Sequence, residues 1–486
     1  MAEPQDLLRR GAAVGGEPDL AVVERRVRGR RRRKRSVVAG AVALVLVALG
    51  ASVAVRQGDP ESQRVVTGPD GRSLSEPVGS WHQAADPPFA AREGAFTATT
   101  DDGRILVWGG GGQGGASDVQ VDGGIYDPES DEWEAIPEAP LGTSTRHATA
   151  SLVANRLAVA DGEGSPATAA VFDLEEMTWT EAPPTGVDGI LSGPLWDGTT
   201  MALLRILPGG GGSEPQTLRW HVGEDAWTNG APYPLGARDV PAIARHEGRF
   251  AVWGGTTSDD LGPGRPVAPG PDPGATSDGA VYDLASDTWQ EMPPGPLEPR
   301  VHADAIWQEG NVVVGAGSND FDESETPLSP IIARYDPSTN SWGELPFPPA
   351  DVVNANWNGV EAPAFFLEGG ASGAITVEGE AGMHSGPQPR WFTLGGEWEE
   401  APFYDLHDLD VGLVATSATR DNPDDGPFQL AVRVAPGVWL DGTDGPFTNR
   451  REPAVGTAGD HLLVVGGLEG RDIEPVGDAW VFDVSG

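Results

Sequence analysis

Residues 250–255 read FAVWGG and residues 280–293 read AVYDLASDTWQEMP. The first stretch is an apolar run that stops on a glycine pair. The second places Trp289 seven positions after Tyr282, across a turn that opens on Asp283. A strand end, a tight turn and the start of a second strand account for that spacing. The same step recurs as Tyr126 to Trp133, Phe172 to Trp179, Trp220 to Trp227, Tyr335 to Trp342 and Trp391 to Trp398. Val432 to Trp439 keeps the spacing with a smaller first residue. A unit that recurs about every 50 residues is one supersecondary element that stacks on copies of itself. Short strands with many Gly and Pro turns make the expected fold all-β, a β-propeller of four-stranded blades.

Each recurring position has a physical reason. Ile105 and Val107, or Phe250 and Val252, alternate as strands half-buried between stacked sheets do. Glycine at a strand end permits positive φ and close backbone approach. The aromatic residue and the Trp bury apolar area between neighbours. Asp at the turn start accepts from backbone N–H groups ahead of it. ILVWGG ends on Gly109-Gly110 and is followed by Tyr126-Asp127 and Trp133; FAVWGG ends on Gly254-Gly255 and is followed by Tyr282-Asp283 and Trp289. LLVVGG ends on Gly466-Gly467 and is followed by Phe482-Asp483. In these positions residues 79–486 resemble Kelch repeats, the propeller units also found in the central domain of galactose oxidase. The resemblance makes these glycines and aromatics, with Tyr335 and Trp342, structural residues. Weaker units have Gly209 to Gly212 before Trp220, and Gly369-Gly370 before Trp391.

The last unit stops three residues after Phe482-Asp483, before the Trp due on its fourth strand. GSWHQAADPPFAAR, residues 79–92, places Trp81, its prolines and Arg92 as the segment from Trp289 to Arg300 does. The N-terminal strand at Trp81 is therefore expected to complete the last blade, which removes a free sheet edge. Counting fourth-strand Trp residues gives eight blades. Seven is the alternative, if residues 404–441 elaborate their neighbours.

Charge is divided along the chain. Residues 1–35 carry 11 basic and 5 acidic side chains, net +6, and the remainder carries 21 and 68, net −47. So acidic a body repels nucleic acid and anionic lipid, and leaves cations, basic proteins or neutral glycans as the expected partners, a protein or a glycan before the others. The absence of Cys excludes disulfides and thiolate chemistry. Ser36 to Val55, SVVAGAVALVLVALGASVAV, has no charge in 20 residues and follows the basic cluster Arg25–Arg35. That length spans about 30 Å as a helix. The expected organisation is a basic cytoplasmic tail (1–35), a transmembrane helix (36–55), a polar stalk (56–78) and an extracytoplasmic propeller (79–486), oriented by the positive-inside rule. A cleaved export signal, with Ser52 and Ala54 as the small residues, is the rival.

Candidate function lies away from the repeat residues. The long inserts 110–123, 207–217, 255–279, 316–331, 370–388 and 467–478 fall between second and third strands, on one expected face. Arg92, Arg146, His147, Arg238, Arg300, His302, Arg450 and Arg451 sit where inner strands begin, and could bind an anion or a glycan carboxylate; in Kelch units, however, Arg near the first strand more often bonds neighbouring backbone carbonyls. No metal or cofactor is expected: Asp320, Asp322, Glu323 and Glu325, or Asp421, Asp424 and Asp425, lack calcium-loop spacing. The copper site of galactose oxidase requires a Cys. The resemblance also leaves an alternative, a carbohydrate-acting enzyme such as a sialic-acid mutarotase or hydrolase. The expected function is a membrane-anchored protein- or glycan-binding module.

Overall fold

A computed structural model describes residues 77–486 except 113–114, 142–147, 162–166, 188–191, 206–214, 247, 258–273, 302, 316, 318–331, 346–364, 370–373, 380–389, 394–398, 401–404, 410–411, 417–426, 436–437, 449, 470–473 and 485–486. The tail, the apolar segment 36–55 and the stalk to residue 76 lie outside the described residues. Among the described residues no helix is long and apolar enough to cross a membrane.

The unit Pro77–Gly486 is all-β. Among the described residues, eight four-stranded antiparallel sheets form, an arrangement consistent with a β-propeller. Sheets 1 to 7 occupy residues 96–136, 148–181, 192–229, 242–291, 304–344, 365–400 and 405–441. Each is a meander in chain order. Sheet 8 combines three strands of residues 454–483 with Ser80–Gln83, which pairs with Ala479–Asp483 in the register Trp81 opposite Phe482.

Second strands do more than the alternation suggested. Ile105–Trp108 is buried at all four positions, because both faces of the sheet are covered. Ile105 and Val107 join a core with Leu463, Val465 and Val481 of sheet 8. Leu106 and Trp108 join one with Leu157, Val159 and Phe172 of sheet 2. The period of two thus sends alternate residues to opposite neighbours. The same division places Ala158 and Ala160 against sheet 3, Phe250 and Val252 against sheet 3, Ala251 and Trp253 against sheet 5, and Leu462 and Val464 against sheet 7. Each buried Leu, Val or Phe contributes about 1.5–3 kcal/mol.

The aromatic-to-Trp step is a cross-strand pair. Tyr126 faces Trp133, Phe172 faces Trp179, Tyr282 faces Trp289 and Tyr335 faces Trp342, with ring centroids 5.0–5.3 Å apart. The first residue is fully buried, whereas the Trp is half-buried. Its indole reaches back one sheet. Trp133 Nε1 donates to Ala85 O at 2.9 Å, Trp179 to Pro137 O at 2.8 Å, Trp227 to Pro183 O at 2.6 Å, Trp342 to Pro293 O at 2.8 Å and Trp81 to Thr443 O at 2.6 Å. In three of these five bonds the acceptor is a proline that follows the preceding Trp. Tyr126, Tyr282 and Tyr335 donate their hydroxyls to Asp131, Asp287 and Asn340 at 2.7–2.8 Å, turn residues with φ of 50–54°. Asn and Asp tolerate that left-handed geometry.

Two weaker units depart from the expected spacing. Trp391 pairs with Glu399, and Val432 with Leu440, each eight positions on rather than seven; in the second pair the register shifts between Arg433 and Ala435. Trp398 itself lies outside the described residues. The glycine pair Gly369-Gly370 was expected to end a second strand. Instead Phe365–Gly369 is the first strand and Ala374–Gly379 the second. The segment between second and third strands is then 380–389 rather than 370–388. An apolar run ending on glycine does not distinguish the two strands.

Candidate functional site

Four arginines expected at the inner-strand starts, Arg92, Arg238, Arg300 and Arg450, are at most 2% exposed. Arg92 Nη1 donates to Gly109 O at 2.9 Å and Asp122 O at 3.0 Å, and Nη2 to Asp122 Oδ1 at 2.7 Å. Its guanidinium also lies 4.3 Å over the Phe89 ring. Arg238 repeats this on Gly254 O and Asp278, and Arg450 on Gly466 O and Asp478, with Phe447 beneath it at 4.6 Å. The guanidinium bridges the end of the second strand to the start of the third. Burial raises the pKa of Asp278 and Asp478, and the arginine's hydrogen bond and charge outweigh it, so both carboxyls titrate below the usual range.

This clasp explains why two glycines are needed. In sheet 4 Gly254 (φ 67°) and Gly255 (φ 81°) are both left-handed. A Cβ on Gly254 would sit 2.9 Å from the carbonyl of Arg300, on the segment leading into sheet 5, and one on Gly255 would sit 2.6 Å from the carbonyl of Asp239, on the segment leading into sheet 4. Gly255 N donates to Arg300 O at 2.8 Å, as Gly467 N does to Arg92 O at 2.8 Å. One glycine admits the neighbouring sheet and the other the strand leading into its own. The arginines thereby hold the fold. Arg451 lies 3.6 Å from Glu93 across the meeting of sheets 8 and 1. Burial, with the charge of Glu452, raises the Glu93 pKa against the opposing pull of Arg451. Arg146, His147 and His302 lie outside the described residues, as do the two acidic loop clusters.

The acids Asp122, Asp278 and Asp478 were missed by the sequence reading, though a signal existed. Each stands four residues before the aromatic, in DGGIYD, DGAVYD and DAWVFD. Sheet 5 has Ile331 at that position, and burial lowers the pKa of Arg300 to about 10, with Glu298 opposing.

The sequence reading also missed the residue that faces open space. A cavity of 340 Å³ is lined by Gly94, Phe96, Trp108, Gly109, Gly110, Val119, Thr149, Ala150 and Arg245. Phe96, Thr149 and Arg245 lie on the first strands of sheets 1, 2 and 4. Arg245 therefore reaches past sheet 3, whose Gly193 O accepts from its Nη1 at 3.4 Å and from Thr149 Oγ1. A side chain at Gly193 (φ 153°) would meet Leu203 Cδ2 at 2.7 Å, so glycine fixes that carbonyl. The Arg245 side chain is reached by water, yet enough protein surrounds it to lower its pKa by desolvation. Its signal in the sequence is a charge within the small apolar run Ala242-Ile243-Ala244. The next residue, His246, stacks on Trp307 of sheet 5 with centroids 6.4 Å apart. Two hairpins, Gly111–Gly112 with Gly115–Val119 and Leu468–Glu469 with Glu474–Pro475, occupy two of the six insert regions, and Val119 of the first lines the cavity. Among the described residues no group of three or more His, Asp and Glu side chains could hold a metal ion.

No family model matches the chain. The chain is similar to N-acetylneuraminate epimerase of Haemophilus influenzae (strain 86-028NP), with 22% identity over 265 residues. The similarity covers 48% of this chain and 64% of that relative, so less than two thirds of the relative's length is spanned.

Proposed function

We propose that this chain is a membrane-anchored, Kelch-type propeller of eight blades, closed by the strand at Trp81, whose central cavity binds a carbohydrate outside the cell. The observation that carries the binding site is the 340 Å³ cavity with Arg245 in its wall. It falls at the low end of the about 300–1,000 Å³ typical of small-molecule sites. The ring reading is supported by the succession of cores from sheet 8 through sheets 1, 2, 3, 4 and 5 and from sheet 7 to sheet 8. The carbohydrate class is supported by the distant relative, whose name gives an acidic amino sugar as what it acts on. The anchor rests on the apolar segment 36–55 and the basic cluster before it.

The described lining residues offer a guanidinium, a hydroxyl and apolar wall, the contacts by which a protein holds a sugar. The test uses the full chain in lipid nanodiscs on a glycan array, followed by calorimetry. Saturable binding of a glycan, lost when Ala150→Phe fills the cavity, is the expected result. Binding that survives Ala150→Phe, or none at all, refutes the site. Chemical conversion of the bound sugar would replace the binding role with an enzymatic one. An N-terminally tagged chain should fractionate with membranes; a soluble form beginning near Val55 would refute the anchor.

A further inference from the structure

We infer that occupancy of the cavity is coupled to proton binding at Glu93: a ligand seated there drives the carboxylate to take up a proton, and is held less tightly as rising pH removes that proton. This inference rests on the reading of the cavity as a binding site and adds its regulation. Glu93 is joined to the wall by its backbone. It precedes the wall residue Gly94, and a Cβ on the wall residue Gly110 would meet its carbonyl at 2.5 Å. Glu93 N donates to Gly111 O and Gly111 N to Glu93 O, both at 2.9 Å. Gly111 opens the hairpin that carries Val119 into the same wall.

The carboxylate itself is poorly served. Its side chain is 17% exposed, and its ion-pair partner, Arg451 Nη2 on the segment leading into sheet 8, stands at 3.6 Å, beyond hydrogen-bond reach. Oε2 is buried and accepts no hydrogen bond among the described residues. Asp239 is the equivalent acid before sheet 4; both follow a clasp arginine and bridge to the residue after the glycine pair. Asp239 is satisfied locally, because its Oδ1 accepts from Val240 N at 3.0 Å. Glu93 has no such donor, because Gly94 N donates to Glu452 O at 2.8 Å. Glu452 also brings a like charge: its Oε2 lies 3.5 Å from where a Cβ on Gly94 would stand. Gly111, which packs on the Glu93 carboxyl, is uncharged, and the preceding Arg92 is turned to Asp122. Burial and Glu452 therefore raise the Glu93 pKa against the weaker pull of Arg451. A ligand against Gly94 and Gly110 replaces water beside this group with matter of low dielectric, which disfavours the charged form further. By reciprocity, the proton that the ligand draws in tightens the ligand. Affinity is highest where Glu93 is protonated before binding. It falls by up to about tenfold per pH unit between the titrations of the empty and the occupied protein, and levels off above both.

The experiment is infrared titration of the full chain in nanodiscs, following the carbonyl stretch of protonated carboxyl groups. The band lost in Glu93→Gln belongs to Glu93. Its midpoint should lie above the ordinary carboxylate range, fall in Glu452→Gln and rise in Arg451→Gln. Ala150→Phe, with Ala150→Leu as the milder change, fills the cavity without a ligand and should raise the midpoint by at least about half a pH unit. Neutral methyl glucoside, which has no proton of its own to exchange, should bind at least about threefold more weakly above the midpoint than below it, and Glu93→Gln should remove the difference. A midpoint that neither filling variant moves, or a pH dependence of binding that survives in Glu93→Gln, overturns the inference. If methyl glucoside binds equally at every pH, the coupling falls and the carbohydrate site stands. If the filling variants raise the midpoint and no sugar of the glycan array binds, the coupling stands and the carbohydrate reading falls.

Discussion

Replacing Trp81 by alanine measures whether a strand near residue 80 completes a sheet whose other strands lie almost 400 positions later. The indole donates to Thr443 O at 2.6 Å and touches the rings of Phe482, Phe447 and Phe428 at centroid distances of 5.2, 5.3 and 5.8 Å. Trp to Ala costs about 3–5 kcal/mol in a core, and Trp81 is only half-buried, which places the packing loss near about 3 kcal/mol. The hydrogen bond adds about 1 kcal/mol, for a total of about 4 kcal/mol. With unfolding entropy of about 2.1 cal/mol/K per residue over about 400 residues, that loss lowers the midpoint by about 5 °C. The assay is thermal unfolding by circular dichroism, with Trp133→Ala as the internal standard. Trp133 makes the equivalent bond to Ala85 O and the equivalent ring pair with Tyr126. The two variants should fall by similar amounts. A Trp81→Ala midpoint within about 1 °C of the parent, beside a clear loss in Trp133→Ala, would refute the reasoning, because a fourth strand that contributes nothing is not a fourth strand.

Two further outcomes follow from the same geometry. Ser80 and Asp483 are cross-strand partners in a chain without cysteine; the double variant Ser80→Cys, Asp483→Cys should oxidise to a single intramolecular disulfide, seen as faster migration on a non-reducing gel, and persistent free thiols would contradict the pairing. Arg450→Met should destabilise by about 3 kcal/mol, because breaking a buried ion pair strands its partner. Asp478 has a pKa below its unfolded value of 3.8, so the stability it contributes is present above that value and lost as pH falls through the folded pKa. The parent's thermal midpoint should therefore drop more steeply than that of Arg450→Met below about pH 4, and parallel curves would argue against the clasp.

The sequence made the scaffold legible where a physical requirement recurs. A buried aromatic opposite a Trp must repeat at a fixed spacing, because the turn between them has a fixed length, and so Tyr126, Tyr282 and Tyr335 mark their strands unaided. The step failed by one residue at Trp391 and Val432, whose cross-strand partners lie eight positions on. The glycine pair was readable as a close approach, but not what approaches. The aspartates of the clasp stood in plain view four residues before each aromatic, yet only contact with Arg92, Arg238 and Arg450 gives them meaning.

The amino-acid sequence by itself determined the all-β class, the repeat, and the positions of turns and buried aromatics, since these follow from local periodicity and backbone sterics. Tertiary structure alone decided which arginine faces open space. Arg92, Arg238 and Arg450 resemble Arg245 as isolated residues. They differ because three are buried against carbonyls and aspartates brought from 16 to 40 positions away, while Arg245 meets residues from three other sheets at a cavity. Local sequence encodes spacing along one strand. It does not encode convergence between strands, and the candidate binding site is made of that convergence.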